Sequence, residues 1–147
     1  MKPDWILIAN ASRARLLEQQ QNKDKVKELK SFEHPRARSR ASEVTDDRAG
    51  YERTDRSFGA ASFQPRTDAK QKEHTLFARE LAEYLEREAQ LGTFGSISLL
   101  ASNPFLGEIK AELGATTKRP LGVTRNVDLT MVGKAELGRR VAQEMAY

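Results

Sequence analysis

A short apolar run near the start of the chain constrains the fold more than any other stretch. It comprises Trp5-Ile6-Leu7-Ile8-Ala9 and closes at the polar residue Asn10. The run is too short for a helix of ordinary length, and unbroken apolar runs of this size are typical of strands buried on both faces. Such a strand has packed layers on either side, so we expect the rest of the chain to be arranged around it.

The segments that follow predict two more strands and then a helix. Strands over 14–19 and 26–32 are separated by short polar connections, which predicts an antiparallel meander. A helix begins at Asp68, three residues before Gln71 in capping-box spacing, and Gly92 ends it. Between the third strand and this helix lies a polar loop over about 35–68, which has no apolar period.

The last third of the sequence alternates strands and helices. A buried strand is predicted over 96–101, and a helix follows with Pro104 in its first turn and Gly114 at its end. A basic turn over 116–120 leads to a strand in which Val123, Val127 and Leu129 alternate. Thr130 is then predicted to cap a helix that runs to the end of the given sequence.

The predicted order of elements is therefore β-β-β-(long loop)-α-β-α-β-α. A meander followed by right-handed crossovers gives a mixed sheet with helices on its faces. The simplest closure places the first strand at the centre, antiparallel to the second and parallel to the fourth. This is the layout of a ribonuclease-H-like α/β fold, and we expect residues 1–147 to form a single domain.

Composition narrows the functional classes. The chain has 147 residues, no cysteine, two histidines and a net charge of +4. No apolar run approaches the roughly 20 residues of a membrane-spanning helix, so no membrane insertion is expected. Residues 1–15 lack the layout of a signal peptide, and a cytoplasmic location is the expectation. Neither a cofactor nor a metal ion is predicted.

Arginines are the most prominent feature of the long loop. We predict that they contact nucleic acid, because guanidinium groups bind phosphate and stack on bases. Aromatic residues lie between them, as a surface for single-stranded nucleic acid requires. The candidate residues are Arg36, Arg38, Arg40, Arg48, Arg53, Arg56 and Arg66. The alternative is a solvated polar loop, because acidic residues of the same stretch offset much of the charge.

Catalytic constellations are incomplete. Two-metal cleavage of nucleic acid needs several converging carboxylates, and only Asp4, Asp128 and Glu80 lie on or beside the relevant elements. His34 and His74 lack further ligands at suitable spacing, which favours structural roles for both. A nuclease therefore remains a remote alternative, and we predict no catalytic residue.

Four segments, in this order, resemble one known family. They are WILIANASRAR at 5–15, FAREL at 77–81, NPFLGEI at 103–109 and VDLT at 127–130. These are similar to the opening, the central helix, the proline–Phe-Leu-Gly segment and the Asp-Leu-Thr signature of the bacterial host-attachment proteins. The resemblance covers nearly the whole chain outside the loop. Asn10 departs from the family, which often has Asp there, so no metal-binding or acidic role is carried onto Asn10.

The resemblance implies a role in attachment of bacteria to host cells. It extends, more distantly, to the middle domain of eukaryotic and archaeal peptide-chain release factors and of Pelota. In the release factors the long loop carries Gly-Gly-Gln, which enters the peptidyl transferase centre. The corresponding stretch here is SFGAASFQ at 57–64, so peptide release is not carried over, and a peptidyl-tRNA hydrolase, like a nuclease, is only a remote alternative.

Two functions follow as expectations. The first is a non-catalytic accessory factor that binds RNA, the ribosome or tRNA, with Phe58, Gly59 and Gln64 as a probe at the loop. The second is a protein-interaction or regulatory module that supports attachment to host cells. The sequence leaves the physiological partner and the oligomeric state open.

Overall fold

Five strands form one mixed sheet in the computed structural model, which describes residues 2–22, 24–34 and 59–146. The strands are β1 (Asp4–Ala9), β2 (Arg13–Gln19), β3 (Val26–Glu33), β4 (Ser96–Ala101) and β5 (Leu121–Asn126). The helices in the described part of the chain are α1 (Gly59–Leu91), α2 (Phe105–Glu112), α3 (Ala115–Lys118) and α4 (Lys134–Met145). None of these helices is long and apolar enough to cross a membrane.

β1 lies at the centre of the sheet, as the sequence predicts. The strand order is β3-β2-β1-β4-β5. β1 is antiparallel to β2, with Trp5 opposite Glu18, and parallel to β4, with Asp4 opposite Ser96. β5 extends the parallel half of the sheet beyond β4. The carboxyl ends of β1, β4 and β5 therefore meet at one edge, which we name the carboxyl edge, and their starts lie at the amino edge.

The side chains of β1 point alternately to the two faces of the sheet, and each face carries a hydrophobic core. Trp5, Leu7 and Ala9 face the layer formed mainly by α1 and α2, and belong to the larger core. Ile6 and Ile8 face the opposite layer, where they pack with residues of α4. All five side chains are at most 4% exposed. The apolar run is therefore continuous because both faces of its strand are covered.

The long helix α1 begins earlier than the sequence predicts. Residues 59–68 belong to the predicted loop at 35–68, but the helix starts at Gly59 rather than at Asp68. The capping-box spacing after Asp68 suggested a later start. Alanine, glutamine and arginine in this stretch favour a helix by intrinsic propensity, although Pro65 removes one backbone hydrogen bond.

The predicted turn at 116–120 contains the short helix α3. The side chain of Glu86, on α1, accepts hydrogen bonds from the backbone N–H groups of Thr116 and Thr117. These N–H groups have no partner within their own helix. The capping group therefore comes from another element about 30 residues away in sequence, and a local pattern cannot reveal it.

The last strand and the last helix are both displaced from their predicted positions. β5 covers Leu121–Asn126 and ends before Val127, whereas α4 begins at Lys134 after Gly133. Thr130 does not cap this helix. Its hydroxyl donates to Asp128 Oδ1 instead, and its backbone N–H is bonded to the same oxygen. Residues 127–133 therefore form a connection at the carboxyl edge.

Candidate functional site at the carboxyl edge

Two segments that the sequence singled out meet at the carboxyl edge. Asn10 follows the end of β1, and Asp128 follows the end of β5. The Asn10 side-chain Nδ2 donates to Asp128 Oδ2 over 2.9 Å and to Thr130 Oγ1 over 3.1 Å. Because parallel strands end at the same edge of a sheet, residues 118 positions apart in the chain come into direct contact.

The other half of the Asn10 amide holds the turn between β1 and β2. Its Oδ1 accepts from the backbone N–H of Ser12 at 2.8 Å and of Arg13 at 2.9 Å. The backbone N–H of Asn10 also donates to the Arg13 carbonyl at 2.9 Å. Asn10 thus fixes a tight turn and joins it to the 127–133 connection.

Asp128 is held as an ionised acceptor. Burial raises the pKa of its carboxyl, but hydrogen bonds from Asn10 and Thr130, with the nearby Arg13 guanidinium, outweigh burial and lower the pKa below its ordinary value. The carboxylate is therefore charged at neutral pH. Its hydrogen bonds fix the backbone at Thr130, which is a positioning role.

Arg15, on β2, binds the same 127–133 connection. Its Nε and Nη2 donate to Glu28 Oε1 at 3.1 and 2.9 Å, and its Nη1 donates to the carbonyls of Thr130 and Val132. The side chain is 13% exposed. A guanidinium with all these donors engaged stabilises structure and has little capacity left for a ligand.

Arg13 has a different environment. Its Nη1 donates to the sulfur of Met131 at 3.3 Å, and a thioether is a weak acceptor. Within the described residues no carboxylate lies in ion-pairing distance of Arg13 or of Lys134, the first residue of α4. Both side chains line an open groove of about 500 Å³. Its other lining residues are Ala14, Arg15, Glu28, Ser31, Phe32, Glu33 and Thr130.

Most of the predicted nucleic-acid residues lie in the part of the chain that the structure does not describe. Arg36, Arg38, Arg40, Arg48, Arg53, Arg56 and the probe residue Phe58 lie outside the described residues. Arg66 and the probe residues Gly59 and Gln64 lie on α1. The described chain stops at His34, whose backbone N–H donates to the Ser12 carbonyl at 2.9 Å. The described stretch that precedes the arginine-rich segment in sequence therefore ends at the carboxyl edge.

The acidic residues that a nuclease would need are distributed over the molecule. Asp4 begins β1 at the amino edge, Asp128 lies at the carboxyl edge, and Glu80 is exposed on α1. In the described part of the chain, no group of three or more His, Cys, Asp or Glu side chains is placed to hold a metal ion.

His34 takes part in the packing between β3 and α1. It is buried, its Nε2 lies 3.0 Å from the Glu73 carbonyl oxygen, and its ring contacts that of Phe77. Burial against an aromatic ring and a helix backbone fits the structural role that the sequence indicated.

Sequence reasoning did not identify Arg13, Arg15 or Lys134 as members of a site. Arg13 and Arg15 alternate on one strand after a turn, so they project from the same face of the sheet. This spacing could have indicated a cationic face. Nothing local marks Lys134, because its place beside Arg13 depends on the path of the 127–133 connection.

Comparison with protein families gives a match over most of the chain. The model of a family described as "Protein required for attachment to host cells" matches residues 5–141. The matched region includes both segments that meet at the carboxyl edge. A search of curated proteins finds no match to the chain.

Proposed function

The chain belongs to the family of proteins required for attachment to host cells, and from this premise we propose that it is a non-catalytic accessory factor that binds RNA at the carboxyl edge of its sheet. The observation that carries the proposal is the position of His34, which is fixed to the turn after β1 at the carboxyl edge by its hydrogen bond to Ser12. The arginine-rich segment begins two residues after His34 in the sequence.

The groove at the same edge supplies further cationic groups. Arg13 and Lys134 approach it from different elements, and neither is neutralised by a carboxylate within ion-pairing distance among the described residues. RNA affinity depends largely on phosphate contacts from such groups. Arg36, Arg38 and Arg40 add three charges within five residues, before the first acidic residue of the segment.

The strand order supports a finer assignment of the fold. A central β1 with one antiparallel and one parallel neighbour is the layout of the ribonuclease-H-like fold, which we propose for this chain. On the same basis we propose kinship with the release-factor middle domain. The absence of Gly-Gly-Gln from residues 57–64 supports RNA contact without peptide release.

Salt-dependent binding tests the proposal. The measurement is fluorescence anisotropy of a labelled single-stranded RNA of 20 nucleotides, titrated with the full chain at several salt concentrations. Replacing Arg36, Arg38 and Arg40 with Ala should lower the salt slope by roughly 0.7 for each phosphate that the protein no longer neutralises. The double variant Arg13→Ala/Lys134→Ala should lower it by up to about 1.4.

A matched variant distinguishes the loss of these particular contacts from a general loss of positive charge. Lys2→Ala/Arg87→Ala also removes two exposed positive charges. Lys2 precedes β1 at the amino edge, and Arg87 lies near the end of α1, where Gly92 approaches Lys2. This double variant should retain most of the wild-type affinity for RNA. If wild-type chain does not bind RNA, or if all variants lose affinity equally, the proposed interface is wrong.

A protein-interaction module is the second candidate, and Met131 favours it. This side chain is 76% exposed beside Arg13 at the carboxyl edge. Methionine and arginine are both enriched at protein interfaces relative to the rest of the surface. Affinity capture from bacterial lysate, with and without ribonuclease, distinguishes the two functions. Partners that persist after ribonuclease treatment and no longer bind the Met131→Ser variant support the interaction module.

A further inference from the structure

A cavity opens at the amino edge of the sheet. The groove that Arg13 and Lys134 line is at the other end of the strands, at the carboxyl edge. Its volume is about 470 Å³, which is within the range of small-molecule sites in proteins. It is bounded by β1, β4, β5 and the end of α4. The lining residues are Asp4, Trp5, Ile6, Gln19, Ser96, Ser98, Val123, Ala142, Met145 and Ala146.

Small side chains on β4 leave this space between the sheet and α4. Ser96 and Ser98 occupy positions on the face where Leu100, farther along the strand, fills the core. Ser98 is 4% exposed, and its Oγ accepts from the backbone N–H of Val123 at 3.3 Å. A hydroxyl that accepts in this way retains a proton that it can donate to a bound molecule.

Two features give the cavity a negative potential. Among the described lining residues Asp4 alone carries a formal charge, and its Oδ1 accepts from Ser96 Oγ at 2.7 Å. The second oxygen of this carboxylate has further capacity to accept. α4 ends at Met145 on the cavity wall, with no basic residue in its last turn. The carbonyls at the end of a helix carry partial negative charge, which adds to that of Asp4.

We propose that this cavity binds a small molecule with an apolar body and one ammonium group. The apolar body packs against Ile6, Val123 and Met145, and the ammonium group lies at the Asp4 carboxylate. This binding site is separate from the proposed RNA interface and does not depend on it.

A pair of matched probes tests the charge requirement. Isothermal titration calorimetry of the full chain at pH 7 compares 2-phenylethylamine with 2-phenylethanol, which has a similar shape and no charge. The amine should bind saturably, with an affinity about three- to fivefold higher than that of the alcohol, as expected for one partly exposed ion pair. Absence of saturable amine binding, or equal affinity for both probes, overturns the proposal.

Variants locate the binding. Asp4→Asn should reduce the affinity for the amine to that for the alcohol. Glu83→Gln removes the same charge from an exposed position on α1 and should leave the preference unchanged. Val123→Phe should fill the cavity and weaken the binding of both probes about tenfold or more.

Thermal unfolding monitored by circular dichroism establishes whether each variant is folded. If Asp4→Asn fails to fold, the salt dependence of the wild-type preference decides, because an ion pair at Asp4 must weaken as salt rises. A preference that Asp4→Asn leaves intact, or that salt does not change, places the ammonium group elsewhere and overturns the proposal.

Discussion

Asn10 uses both ends of its side-chain amide, and no charged residue of the same size could do so. The Oδ1 atom accepts two backbone N–H groups, and the Nδ2 group donates to Asp128 and Thr130. A carboxylate could replace only the accepting half. The identity of this residue therefore determines whether the turn after β1 and the 127–133 connection attract or repel one another.

We predict that Asn10→Asp destabilises the protein. The substitution places a carboxylate at hydrogen-bonding distance from the charged Asp128, and removes a donor to a charged acceptor, an interaction that contributes about 1.5–3 kcal/mol. Repulsion between the two carboxylates raises the pKa of the pair, so the destabilisation should be greater at pH 7 than at pH 4.5, because protonation of the pair relieves the repulsion as pH falls. Urea unfolding at both pH values measures the difference.

Gln143→Glu is the matched control for Asn10→Asp, because it adds one negative charge at an exposed position on α4. Its free energy of unfolding should stay within about 0.5 kcal/mol of wild type. Equal stability of Asn10→Asp and wild type at pH 7 would contradict the role assigned to the amide.

Among the elements, α3 depends on a side chain from α1. Glu86 accepts from the backbone N–H groups of Thr116 and Thr117 and from the Thr117 hydroxyl. Burial raises the pKa of Glu86, but these hydrogen bonds, led by those of Thr117, outweigh burial and lower the pKa to about 2. The charged form of Glu86 is therefore the form that holds the two helices together.

We predict that acid weakens the stability contributed by Glu86. Because the folded-state pKa lies below the ordinary value of 4.5, the contribution is fully present above about pH 4.5 and is lost as pH falls toward about 2. Chemical unfolding measured across this window should show a shallower pH dependence in Glu86→Gln than in wild type. The exposed neighbour variant Glu83→Gln should retain the wild-type slope, and identical slopes for all three would rule out the contribution.

The interface between α4 and the β2–β3 hairpin has no space for a side chain at Gly138. A Cβ there would overlap the carbonyl oxygen of Asp24 and approach the backbone of Lys25. We predict that Gly138→Ala destabilises the protein by about 1–3 kcal/mol, because backbone atoms must move. Thermal unfolding measures this change.

Gly107 on α2 provides the comparison for Gly138. An added Cβ meets nothing within 4 Å. Gly107→Ala should therefore stabilise the protein by about 0.5–1 kcal/mol, the usual gain for alanine over glycine within a helix. Destabilisation by both substitutions to the same extent would show that the close approach at Gly138 is not the cause.

For the whole molecule, the larger core joins the parts of the chain that flank the arginine-rich segment. Leu7 and Leu16 come from before the segment, and Phe77 and Leu81 come from after it. Burial of apolar surface between them should hold the two parts together without a covalent connection.

Limited trypsin digestion tests this arrangement. The segment from Arg36 to Arg56 lacks apolar periodicity and has many cleavage sites, so we expect the first cuts there. The fragments on either side should elute together in gel filtration after cleavage. First cuts within residues 76–90, or immediate separation of the fragments, would contradict the assignment of one shared core.

The sequence predicted correctly those elements whose hydrophobic pattern lies within a few consecutive residues. The apolar run from Trp5 to Ala9 predicted a central strand, because its burial on both faces depends on its own residues. It was wrong at Thr130, since the choice between capping a helix and bonding Asp128 depends on a distant contact. It also did not place Lys134 in the groove that Arg13 lines, because residues about 120 positions apart reach one groove only once the strands are aligned.

The central position of β1 has a consequence for the order in which the protein can form. β1 precedes the other strands in sequence, its parallel neighbour β4 begins 92 residues later, and α4, which covers one of its faces, comes later still. During translation β1 can therefore pair early with β2, but it lacks β4 and α4 until those elements are made. Sheets that depend on such distant pairings form slowly and expose apolar surface meanwhile. Chaperone availability during translation should therefore affect the yield of this protein more strongly than that of a helical bundle of equal length.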